Sequence, residues 1–180
     1  AQSLARGGNH QGFIAEVDEF SFTPFASLKN ASSIVFLCGI SDVGNIGSIV
    51  RSSLALGADA LIIANRQGLR EQGISGMLRT SSGAGYELDI CVVNDDVSAV
   101  NELKQAGFTL LGADASGQDV RALAPKPEKF VLLMGAEDKG IGKKAMAKCD
   151  KIVAIKMKNN WDSLNVGVAT AILFDRIKNG

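Results

Sequence analysis

The side chains able to do chemistry in this chain fall in three short polar clusters, each beside an apolar run. Ser163 and Asn165 stand ahead of Ala169, Ile172, Leu173, Arg176 and Ile177, which recur at helical spacing. Asn45 and Arg51 follow the apolar stretch Ile34–Cys38, and Glu137 follows Val131–Gly135. A hydroxyl and a carboxamide both donate and accept hydrogen bonds, a carboxylate accepts them, and a guanidinium binds phosphate or offsets charge growing on an oxygen. Arg51 is a poor general base, because guanidinium hardly ever deprotonates in proteins. Gly44 and Gly47 let a strand-to-helix turn bend, and the N–H groups of such a turn suit a phosphate. The turn is neither a dinucleotide fingerprint nor a P-loop, since GxGxxG and GK[ST] are both missing. Each cluster also has an ordinary reading. Ser163 is a favoured N-cap for an amphipathic helix, Glu137 an acid favoured by a helix dipole, and Arg51 a surface cation.

The elements that must position these groups alternate from Ser33 onward. Strands are expected at 34–38, 60–64, 88–93, 108–113, 130–134 and 152–155. Helices are expected over 46–56, ended by Gly57; over 71–82, with Arg70 and Arg79 flanking or on it; over 97–106, stopped by Gly107; and over 163–177. Pro125 and Pro127 mark a loop. The strands are apolar without alternation, which points to an α/β protein with a parallel sheet covered on both faces.

Composition narrows the class. A chain of 180 residues suits one domain and can bury about 70% of its unfolded surface. Hydrophobic content of 46% and charged content of 21% are globular values. No apolar run reaches the roughly 20 residues that span a bilayer, and no signal peptide is visible. Cys38, Cys91 and Cys149 are widely spaced, and His10 is the only histidine. Free thiols in a reducing cytoplasm are therefore expected, with neither a zinc site nor a disulfide framework. Net charge is zero, which argues against RNA affinity resting on bulk charge. Lys139, Lys143, Lys144, Lys148, Lys151, Lys156 and Lys158 nevertheless share a stretch with one acid, Asp150. That stretch faces phosphate or forms a solvated helix face.

Taken in order, three segments resemble the motifs of the SpoU/TrmH branch of the SPOUT methyltransferases. They are Asp42–Ser52, Val131–Gly140, and Ile155-Lys156-Met157 together with Ser163-Leu164-Asn165-Val166. The resemblance covers roughly residues 33 to 178. It implies S-adenosyl-methionine-dependent methylation of a ribose 2′-hydroxyl in RNA, with a 23S rRNA guanosine as the leading target. A tRNA, an antibiotic-resistance rRNA methylation, or a non-catalytic RNA-binding module of the same fold are the alternatives. A nucleotide-dependent oxidoreductase shares only the sheet pattern and lacks the glycine fingerprint.

The same resemblance implies a parallel-sheet SPOUT fold with a C-terminal deep trefoil knot, a homodimer with the active site near the subunit interface, and a bent cofactor. It assigns catalysis to Arg51, Asn45, Glu137, Ser163 and Asn165. It assigns cofactor binding to Ala113, Met134, Gly135, Ala136, Ile155, Met157 and Leu164. No metal and no membrane are implied. The helices after Asn45 and after Ser163 are the interface candidates. Asn9–Ala15 resembles the linker that joins an N-terminal RNA-binding domain to the catalytic domain in the rRNA guanosine subgroup. Residues 1–32 are then an extension behind such a domain and 33–180 the catalytic domain. The chain departs from the family pattern at Val43 (commonly Pro), Asp138 (commonly Gly), Lys156 (commonly Pro) and Asn160-Trp161-Asp162 (commonly small). Trp161 either stacks on a base or packs at an interface.

Overall fold

The computed structural model of the chain describes residues 19–64, 69, 71–158 and 163–180. The expectations attached to Asn9–Ala15, Arg70 and Asn160-Trp161-Asp162 lie outside the described residues. Six strands, β1 (Ser33–Cys38), β2 (Ala60–Ala64), β3 (Asp89–Val93), β4 (Thr109–Asp119), β5 (Phe130–Gly135) and β6 (Lys151–Ala154), form one sheet. Its order is β3-β2-β1-β5-β4-β6 and every pairing is parallel. The helices are α1 (Val43–Ala55), α2 (Glu71–Thr80), α3 (Asp96–Gln105), α4 (Lys143–Met146) and α5 (Val166–Lys178).

Both faces of the sheet are covered, so the central strands carry no polar alternation. Val35, Leu37, Leu61, Ile63, Leu132 and Met134 pack with Ile46 and Ile49 of α1, Met77 of α2, and Leu173, Phe174 and Ile177 of α5. Ile34, Phe36, Ile62, Val131 and Leu133 face the other way, against Val100 and Leu103 of α3 and Ala145 of α4. The result is a three-layer sandwich with α1, α2 and α5 on one face and α3 and α4 on the other. Among the described residues no helix is long and apolar enough to cross a membrane.

Strand order reverses between β1 and β5. From β1 the chain runs outward through β2 and β3, then crosses to the opposite half. In open α/β sheets such a switch point leaves a crevice beyond the carboxyl ends of the strands. Gly39 (φ +72°) ends β1 there, and Gly57 (φ +83°) and Gly107 (φ +86°) turn the chain after α1 and α3.

Two expectations need correction. The C-terminal helix starts at Val166 with Asn165 as its N-cap, so Ser163 lies outside the helix and does not cap it. β4 runs on to Asp119, beyond the expected end at Ala113. Its ladder with β6 skips from Ala113 to Gln118, both opposite Val153. Residues 114–117 form the bulge, and Gly117 lies so close to β6 that a Cβ there would come within 2.7 Å of the Ile152 carbonyl.

Candidate active site

Two clefts open at the carboxyl ends of the strands. The first, about 230 Å³, is bounded by the ends of β4, β5 and β6 and the start of α5. All seven residues expected to hold a cofactor line it: Ala113, Met134, Gly135, Ala136, Ile155, Met157 and Leu164. Its walls are mainly apolar, with Asp114 and Glu137 as the charged members. The second, about 470 Å³, lies beyond β1 and β5 and takes in Asp42, Asn45, Asp96, Glu137, Asp138 and Lys139. Ala136, Glu137, Gly140 and Val166 belong to both, so the clefts adjoin.

The junction is built by two helix starts. Asp42 caps α1 by accepting from the Asn45 amide at 2.7 Å. Asn165 caps α5, its Oδ1 accepting from the Gly167 amide at 2.9 Å and the Val168 amide at 3.4 Å. The Asn165 Nδ2 is thereby turned outward, and it donates to Asn45 Oδ1 at 2.9 Å and to Glu137 Oε1 at 3.5 Å. That same Glu137 oxygen accepts from the Val166 amide at 3.3 Å. The two helices come this near because Gly167 has no side chain; a Cβ there would reach 2.7 Å from Ser48 Oγ. Residues 120 apart in sequence are so joined by one carboxamide pair.

Gly135 lines the first cleft, and its missing side chain also makes room for backbone. The turn from Ala136 to Gly140, closed by the Gly140 amide donating to Ala136 O at 2.7 Å, folds back over Gly135. A Cβ at 135 would overlap the backbone of Gly140 and Ile141.

The structure brings Asn45, Glu137 and Asn165 into contact, and Ser163 lines the first cleft. It does not bring Arg51 to them. Arg51 is exposed on α1, donates from Nη1 to Ser82 Oγ at 3.3 Å, and lines neither cleft. Of the basic stretch, Lys139, Lys143, Lys144, Lys148 and Lys158 are exposed and Lys151 is half-buried. Lys156, in the position where proline is usual, donates to Gly117 O at 3.1 Å and so ties the exit of β6 to the β4 bulge.

Sequence reasoning missed Val166, whose amide orients Glu137, and Asp96, which enters the second cleft from α3. It also missed Asp114. An Asp-x-Ser turn was the available signal there: Asp114 Oδ1 accepts from the Ser116 amide at 2.9 Å, and the Ser116 hydroxyl and amide hold its carboxyl below the usual value. Cys38 lines the second cleft, but burial pushes its thiol far up, with the Asp96 charge adding to the effect. Burial thus disfavours a thiolate nucleophile there. Among the described residues no group of His, Cys, Asp and Glu is placed to hold a metal ion.

The SpoU rRNA Methylase family profile matches residues 32–175. An uncharacterized tRNA/rRNA methyltransferase of Archaeoglobus fulgidus is 33% identical over 165 residues, which is 89% of this chain and 72% of that protein. The SpoU methyltransferase AviRb of Streptomyces viridochromogenes, solved in complex with the cofactor AdoMet, superposes at a TM-score of 0.68. It is 28% identical, over 82% of this chain and 60% of that one. An rRNA methyltransferase of Sinorhizobium meliloti superposes at 0.78 with 25% identity, over 88% of this chain and 61% of that one. The chain thus spans about three fifths of the length of these two solved relatives.

Proposed function

Because the chain belongs to the SpoU rRNA methylase family, we propose that it methylates a ribose 2′-hydroxyl of RNA from S-adenosyl-methionine, with a 23S rRNA guanosine as target. The observation that carries this reading is the contact of Asn165 with Asn45 and Glu137 at the junction of an apolar cleft and a polar one. The apolar cleft fits the cofactor. Ala113, Met134, Ile155, Met157 and Leu164 offer walls for a flat purine, and the Asp114 and Glu137 carboxylates suit a cationic sulfonium. AviRb, the relative solved with AdoMet, supports the same choice. When bound, the cofactor supplies an electrophilic methyl group.

The remaining work belongs to the chain. A ribose hydroxyl is a poor acid, so holding it in line and offsetting charge on its oxygen are the demanding steps. Asn45, Ser163 and Asn165 orient the ribose, and Glu137 fixes Asn165 and the start of α5. Arg51 binds the nucleotide phosphate and stabilises the developing alkoxide, while the proton leaves through a phosphate oxygen or a water. Since Arg51 lines neither cleft of its own copy, that role assigns it to the cleft of a second copy. A homodimer joined through α1 and α5 provides the arrangement. Val168 and Ile172, one turn apart on α5, are 50% and 37% exposed, which supports this face as the contact.

A deep trefoil knot belongs to the same proposal. The helix α5 touches both β5 and the Val120–Ala122 turn, as it would if it ran beneath the connection from β4 to β5. Residues 1–32 are then the extension behind an RNA-binding domain, with 33–180 as the catalytic domain.

Tritium transfer from labelled S-adenosyl-methionine to 23S rRNA and to tRNA tests the reading, followed by mapping of the labelled nucleotide. Label on a 2′-oxygen of 23S rRNA is expected, and it is expected to vanish in Asn165→Ala. Label on a base, or none with any RNA at saturating cofactor, would falsify the proposal.

A further inference from the structure

We infer that Asp96 reads the base of the target nucleotide in the second cleft, selecting guanine by its adjacent N1–H and N2–H donors. This rests on the reading that the junction methylates an RNA ribose, and it adds a specificity residue to that reaction. A ribose at the junction of Asn45, Glu137 and Asn165 has one cleft filled by cofactor, so the base attached to it has the other to enter. That second cleft adjoins the first through Ala136, Glu137, Gly140 and Val166.

Most polar groups of the second cleft are already committed. Asp42 caps α1, and Glu137 accepts from the Val166 amide and the Asn165 carboxamide. Asp138 and Lys139 are exposed. Asp96 is different. It is the first residue of α3, yet the cap is Asp95, which accepts from the Ser98 amide at 3.0 Å. Asp96 is half-buried, and its Oδ1 accepts from the Val97 amide at 2.9 Å. Its Oδ2 has no hydrogen-bond partner among the described residues. Across from it lies Gly142, where a Cβ would stand 3.7 Å from that oxygen, so the missing side chain leaves Oδ2 open to the cleft.

A cleft with acids at Asp42, Asp96, Glu137 and Asp138 and a single lysine repels phosphate, so the occupant is the neutral base. A carboxylate only accepts hydrogen bonds, and each of its oxygens has two lone pairs. Guanine presents two adjacent donors on its Watson–Crick edge and matches both oxygens. Adenine and cytosine place a ring acceptor beside their amino group, which the carboxylate repels. Uracil sets one donor between two acceptors. Guanine is therefore the base that Asp96 favours.

The test titrates the protein, saturated with S-adenosyl-homocysteine, with guanosine, inosine and adenosine 5′-monophosphates while amide resonances are followed by NMR. Inosine keeps N1–H but lacks the 2-amino group. Wild-type protein is expected to bind the guanosine nucleotide about 10-fold or more tightly than the other two. Asp96→Asn is expected to bind all three alike, and so is Gly142→Val, which fills the space before Oδ2 while leaving the Asp96 carboxylate in the chain. Equal affinities in the wild type, or discrimination retained in both variants, overturn the assignment. Methyl transfer to rRNA, assayed in parallel on the wild type, separates the two levels: transfer without base discrimination overturns Asp96 alone, and absence of transfer overturns the parent reading.

Discussion

Asn165 performs two jobs with the two ends of one carboxamide. Its oxygen caps α5 and its nitrogen bonds Asn45 and Glu137. The jobs separate by mutation. Asn165→Ala is expected to lower stability by about 1 kcal/mol, the usual loss of an N-cap, and to abolish methyl transfer. Asn165→Ser restores a capping oxygen but is too short to reach Asn45. It is expected to melt within a few tenths of a kcal/mol of wild type and still transfer nothing. Thermal unfolding and tritium transfer read the two effects independently; a fully active Asn165→Ser would show that the link to Asn45 is dispensable. Gly135 offers a second residue-scale case. Its missing Cβ is replaced by rigid backbone at Gly140 and Ile141, which has no rotamer to yield. Gly135→Ala is expected to cost about 1–3 kcal/mol as overpacking and to weaken cofactor binding through the displaced turn. Calorimetry with S-adenosyl-homocysteine checks the second part.

At the scale of elements, legibility followed burial. Ile34–Cys38 is an unbroken apolar run because β1 is covered on both faces, and its observed start differs by one residue, Ser33. Elements held by something other than burial escaped notice. The four residues of α4 bury only Ala145, too little to print a helical period. The far end of β4 is polar at Asp114, Ser116 and Gln118 and is held by pairing with β6. The first cleft was legible because the family motifs name seven of its lining residues. Asp96 was not, since nothing local marks an acid that faces a cleft rather than capping its own helix. The far ends of the elements are tied by an ionic latch equally silent in sequence. Asp59 Oδ2 accepts from the Ser32 amide at 2.9 Å, the Ser33 amide at 2.8 Å and the Ser33 hydroxyl at 3.0 Å. Lys178, at the end of α5, donates to the same hydroxyl at 2.8 Å and to Gly57 O. Burial alone would raise the Asp59 carboxyl, but the Ser32 and Ser33 bonds and the Lys178 charge together hold it below its usual value. A folded value below the unfolded one means stability fully present above the unfolded value, near pH 4, and lost as pH falls through the folded one. Asp59→Asn is therefore expected to unfold at a lower temperature at pH 7 and to flatten the loss of stability below about pH 4. Melting curves from pH 2 to 7 decide it, and parallel curves for the two proteins would discard the latch.

For the whole molecule the decisive fact is the distance between Arg51 and the cluster it is meant to serve. Asn45 and Arg51 share α1, six residues and about 9 Å apart along its axis, which turns the guanidinium away from Asn165 and toward Ser82. On the proposed reading, then, a single copy holds cofactor walls, a ribose-orienting cluster and a base cleft, while its own Arg51 lines neither cleft. A two-fold partner placed on the exposed Val168 and Ile172 would put α1 of one copy beside the clefts of the other. Trans catalysis then makes a quantitative prediction. Arg51→Ala and Asn165→Ala are each expected to be inactive as homodimers. In a mixed dimer, both defects fall on the same site, one lacking its partner's guanidinium and its own carboxamide, and the other site is complete. Co-expression of the two chains with random pairing is expected to regain about a quarter of wild-type transfer, because half the dimers are mixed and each has one good site. If Arg51 instead serves its own copy, every site in the mixture carries a defect and no activity returns. Val168→Glu with Ile172→Lys, which breaks the apolar contact, is expected to shift the protein to monomer in light scattering and to remove transfer while leaving the S-adenosyl-homocysteine affinity within a few-fold of wild type. A monomer that still methylates RNA would place the whole reaction within one copy and leave the dimer no part in the chemistry.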